Sequence, residues 1–73
     1  MFTKNYSVSI SSPAASSLAV PVRAHSAKEA VAIALRSYGF STAARILDRF
    51  DNDGADNLMF SGPGGIAADA RRI

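Results

Sequence analysis

The 73-residue chain has no cysteine, no tryptophan, one histidine and only two lysines. Without cysteine there is no disulfide, no thiolate nucleophile and no cysteine-ligated zinc. With His25 as the only imidazole, the usual two- or three-histidine metal site cannot be assembled. No apolar run approaches the roughly 18–20 residues of a membrane-spanning helix. The opening MFTKNYSVSI lacks the charged-then-apolar layout of a secretory signal. These absences lead us to expect a soluble, intracellular, single-domain protein with no membrane partner. A chain this short buries only about 60% of the surface its unfolded form exposes. Its apolar fraction is 48%, yet alanine contributes 14 residues of it and Leu, Ile, Val and Phe together only 17. That is enough for a small core and thin for a catalytic scaffold.

Charge is unevenly placed. The net value is +2, but residues 1–47 hold five bases (Lys4, Arg23, Lys28, Arg36, Arg45) against Glu29 alone, a net +4. Residues 48–73 hold Arg49, Arg71 and Arg72 against five aspartates, a net −2. Such polarity orients a molecule on a partner by electrostatic steering. It is not the uniformly basic profile of a dedicated nucleic-acid binder.

Apolar periodicity outlines an α+β domain over residues 1–60. Phe2, Tyr6, Val8 and Ile10 alternate with polar residues, with Lys4 the one break, which reads as a half-buried strand. Residues 11–17 (SSPAASS) read as a loop. Leu18, Val20, Val22 and Ala24 then alternate as a second strand, which Pro21 confines to a sheet edge. Together they predict a β-hairpin with a long loop. Ser26 and Glu29 match a capping box. The helix they open carries Ala27, Ala30, Val31, Ala34, Leu35 and Tyr38 as one stripe, with Gly39 at a left-handed C-terminal cap. Ser41 offers a second N-cap, before Ala43, Ile46, Leu47 and Phe50 on a short helix. Residues 51–57 (DNDGADN) form a turn by composition, and Leu58 to Phe60 suits a third strand. Residues 61–73 read as a Gly-rich connection and a flexible or frayed helical tail. The expected fold is a small antiparallel sheet, a hairpin with room for a third strand, and two helices on one face.

No motif for chemistry survives a spacing test. An EF-hand register with Gly54 at position 6 puts Arg49 at 1 and Phe60 at 12, and one starting at Asp51 puts Ala55 at 5 and Gly62 at 12; both fail. SGPGG lacks the lysine of a phosphate loop, since Lys28 is the last in the chain. His25 beside Ser26 does not make a triad, because adjacency supplies no geometry. The acids other than Glu29 and Asp69 crowd into residues 48–56, with no pair placed across a cleft. We therefore expect no catalytic residue, no cofactor and no metal site. A strand surface bearing Lys4, Tyr6 and Arg23 suggests a small nucleic-acid-binding module. Against it, Tyr6 shares a side with Val8 and Ile10. An edge strand beside basic helical faces instead suits docking on an acidic groove of a larger protein, with Lys4, Arg23, Arg36, Arg45 and Arg49 as the docking bases.

The segments MFTKNYSVSISS and LAVPVRAHSAKEAVAIALRSYGF, taken with the total length, resemble small lytic-phage proteins that bind host bacterial RNA polymerase. The resemblance implies a non-enzymatic regulator in the host bacterial cytoplasm, acting as a monomer. It would sit near the flap of the polymerase β subunit and the N-terminal part of β′, beside the RNA exit channel. There it would inhibit host initiation and suppress intrinsic termination. No motif carries contact residues across. In size and strand–strand–helix layout the chain is also similar to phage inhibitors of bacterial CRISPR effectors.

Overall fold

The computed structural model describes residues 3–13, 15–49 and 57–73. Phe2, Phe50 and the acidic turn 51–56 lie outside them. The chain forms β1 (Lys4–Ser12), β2 (Ala15–Ala24), α1 (Ala27–Ser37), α2 (Ser41–Leu47), β3 (Asn57–Ser61) and β4 (Ala67–Arg72). The four strands make one antiparallel sheet in the order β2-β1-β4-β3. The helices pack on one face of it, so the fold is α+β.

Alternation in β1 works as expected. Tyr6, Val8 and Ile10 are buried beneath the helices while Asn5 and Ser9 face out. Pro21 does lie on an edge strand. The loop expected at 11–17 is mostly strand, because β1 and β2 keep pairing as far as Ser12↔Ala15 across a bulge after Ile10. Small hydroxyl-bearing residues pair in a ladder without showing the apolar alternation that advertises one.

The tail departs further from expectation. Residues 67–72 are not the expected frayed or flexible helical tail but a strand, β4, hydrogen-bonded between β1 and β3. Its inward side chains are Ala68 and Ala70, both buried, and its outward ones include Asp69 and Arg71. An alanine contributes little hydropathy contrast, so the period of two is nearly silent in AADARR. The third strand expected at Leu58 to Phe60 is present and one residue longer at each end. The glycine-rich link closes β3 onto β4, with the Gly62 N–H donating to the Ile66 carbonyl at 2.9 Å. Gly65 has φ +77°, and a Cβ there would meet Pro13 Cγ at 2.7 Å, so this turn packs against the β1–β2 turn.

Helix α1 starts at Ser26, whose Oγ accepts from the Glu29 N–H at 3.2 Å. It ends in a Schellman turn: Phe40 N–H bonds Leu35 O and Gly39 N–H bonds Arg36 O, with Gly39 at φ +87°. The stripe from Ala27 to Leu35 is buried, but Tyr38 is 46% exposed, because the chain leaves helical geometry there at φ −103°, ψ 13°. Helix α2 is capped one residue earlier than expected. Phe40 is the N-cap, Ser41 is the first helical residue, and no side chain caps the end. Ala43, Ala44 and Leu47 are buried.

Two outcomes test this packing. Tyr6 is fully buried, and among the described residues its hydroxyl has no hydrogen-bond partner. Leaving a buried hydroxyl unpaired costs about 1–3 kcal/mol, so Tyr6→Phe should raise the urea midpoint, and a lower midpoint would reveal an unseen partner. A chain ending at Gly65 lacks a central strand and should lose its cooperative unfolding transition, as followed by circular dichroism.

Candidate functional site

The sheet has one covered and one open face. The open face is made mainly of Ser, Asn and Ala side chains, with Arg23, Asp69, Arg71 and Met59 among them. Tyr6 points the other way and is buried, so it offers no base-stacking surface. Asp69 is half-buried opposite Ser9 and Met59, beside a shallow hollow of about 190 Å³.

The five expected docking bases do not form one surface. Lys4 starts β1 opposite Ala24, on the helix side, while Arg23 sits opposite Asn5 on the open side. Arg36 is committed within the molecule: its Nη2 lies 3.0 Å from Asp48 Oδ2, and Lys28 Nζ donates to the Asp48 carbonyl at 3.2 Å. Together they tie α1 to the end of α2. Arg45 and Arg49 are exposed on and just beyond α2, apart from the strand bases.

What the sheet does gather is a different set. Arg71 pairs with Ser7 and Asn57, and Arg72 pairs with Tyr6, so both lie at the same end of the sheet as Lys4 and Arg23. Arg23 and Arg71 share the open face, two strands and two rows apart, which is about 12 Å between Cα atoms at ordinary strand spacing. Sequence reasoning missed Arg71 and Arg72 because it left their segment without a strand. The available signal was the alternation of Ala68 and Ala70 with Asp69 and Arg71.

His25 sits at the junction of β2 and α1. Its Nδ1 is 3.1 Å from Glu29 Oε1, and its backbone N–H donates to the same oxygen at 3.2 Å. The Glu29 carboxylate thus turns to the residue before the cap rather than to Ser26, and only the Ser26 half of the capping box forms as expected. Among the described residues, no three His, Cys, Asp or Glu side chains come together to hold a metal. Among them too, no helix is long and apolar enough to cross a membrane. No protein-family model matches this sequence, and neither does any curated protein or solved structure.

Removing the Ser26 cap (Ser26→Ala) should cost about 1 kcal/mol in chemical denaturation. The Arg36–Asp48 pair is about half exposed, so solvent screens it. A double-mutant cycle with Arg36→Ala and Asp48→Ala should return a coupling below about 1 kcal/mol. A larger value would mean that the tie between the helices organises the fold.

Proposed function

We propose that this chain is a non-enzymatic regulator that binds bacterial RNA polymerase near the RNA exit channel, inhibiting host initiation and suppressing intrinsic termination. The observation that carries the docking part of this reading is that one end of the sheet holds Arg23 and Arg71 on its open face and Lys4 and Arg72 on its other face. Bases held on hydrogen-bonded strands keep fixed spacing, which suits them to an acidic protein surface and to fast, steered association. The resemblance of the two sequence segments supplies the identity of the partner. A bound protein at the exit channel would act by differential affinity, favouring polymerase states in which the terminator hairpin and the σ-positioned flap are disfavoured. No bond-making step is needed for either effect.

The test is direct binding to purified bacterial core polymerase. Arg23→Glu with Arg71→Glu should weaken binding about tenfold or more at low salt, the usual scale for losing interfacial charge contacts, with the circular-dichroism spectrum unchanged. Arg45→Glu with Arg49→Glu, on the separate helical site, shows whether α2 belongs to the interface; unchanged binding removes it. Absence of binding by the unmodified chain overturns the reading. Recovery of a CRISPR effector from host lysate, in place of polymerase subunits, would replace it with inhibition of that effector. Retention on DNA or RNA with a steep salt dependence would replace it with a nucleic-acid module.

A further inference from the structure

The two edges of the sheet are finished differently on the helix-covered face. At the β3 edge, Leu58 and Phe60 are 5% and 3% exposed. At the β2 edge, Leu18 is 38% exposed, and Val20 and Val22 are only half-buried. Helix α2 stands on one side of α1 only. It is tied to the flank of α1 that carries Lys28 and Arg36, through Asp48. The opposite flank, with Ile33 and Ser37, has no second helix beside it among the described residues. A groove of about 310 Å³ runs there between α1 and β2. Val20 and Val22 floor it, Ile33, Ala34 and Tyr38 wall it, and Arg23 stands at its rim. Ile33 is 37% exposed and Tyr38 46%. Val20, Val22, Ile33 and Tyr38 thus leave apolar surface open along this side of α1.

Two features specify the occupant. Pro21 sits in this edge strand, opposite Ser7. Its nitrogen carries no proton, so the ladder that an added strand would need is interrupted midway. Side-chain packing is left as the mode of attachment, and the vacancy beside α1 has the place of a further helix in the same layer. Among the described residues, the one charge lining the groove is Arg23, a cation, while Lys28 and Arg36 lie on the other flank of α1 against Asp48.

We propose that the groove between β2 and α1 receives an acidic amphipathic helix of a partner protein, its apolar face on Val20, Val22, Ile33 and Tyr38 and a carboxylate against Arg23. The proposal rests on the reading that the chain works by binding a protein, and it adds the chemistry of one contact.

The probes are three synthetic peptides: an amphipathic helix of Leu and Glu, its counterpart with Lys for Glu, and a scrambled Leu/Glu sequence with no apolar face. Binding is read from backbone amide shifts of the full chain. The Leu/Glu helix should shift residues 20–23, Ile33, Ser37 and Tyr38, and should bind about tenfold more tightly than either control, the loss expected when an anchoring contact is removed. Ile33→Asp should abolish that preference. Tyr38→Asp, at the helix cap rather than inside the helix, should do the same if the first variant proves unstable. Arg23→Glu should favour the Lys peptide. Equal binding of all three peptides, shifts centred on Ser7, Asp69 and Arg71, or no shifts at millimolar peptide would each overturn the proposal. Since no polymerase is present, these outcomes are separable from failure of polymerase binding.

Discussion

Helix α1 reaches the sheet through alanines. Ala27, Ala30 and Ala34 on the helix and Ala68 and Ala70 on β4 are all essentially inaccessible to solvent, so the helix axis can approach the strands closely and the larger side chains pack around that contact. Tyr6, Val8, Val31 and Leu35 complete this centre, each fully buried. Burying such a side chain is worth about 1.5–3 kcal/mol apiece, and a chain of this size has few of them to use. The position of α1 over the two central strands is therefore the constraint to which the other elements adjust.

One consequence is that β4 must be present for the core to exist. It supplies the alanine floor beneath α1 and hydrogen-bonds to β1 and β3 on its two sides. The turn before it is held by close approach, with Gly65 against Pro13. The same strand brings Arg71 and Arg72 beside Lys4 and Arg23. Core formation and the placing of Arg71 and Arg72 at that end of the sheet thus depend on the same strand.

A second consequence concerns coverage. Helix α2, packed through Ala43, Ala44 and Leu47, lies on the one flank of α1 where Lys28 and Arg36 reach Asp48. The β3 side is closed and the β2 side stays partly open. Pro21 then limits what the open edge can pair with. The apolar groove and the basic sheet end are neighbours through Arg23, which stands at the rim of one and within the other. A partner that engages the charge is thereby brought next to the apolar strip.

Much was written locally. Strand β1, the edge character of β2, the start of α1 at Ser26 and its end at Gly39 follow from alternation, proline chemistry, side-chain capping and a left-handed glycine, each acting within a few residues. The extent of the hairpin and the existence of β4 did not. Ser12 and Ala15 become strand, and Ala68 and Ala70 become core, only because distant segments supply their partners; alone, an alanine or serine scarcely prefers one environment. Where Arg71 and Arg72 lie was likewise settled by the pairing of β4 with β1, a segment more than fifty residues away in sequence. Local chemistry decided how α1 begins and ends and which face β1 buries, and the tertiary structure decided what small residues do, since their burial depends on what packs over them.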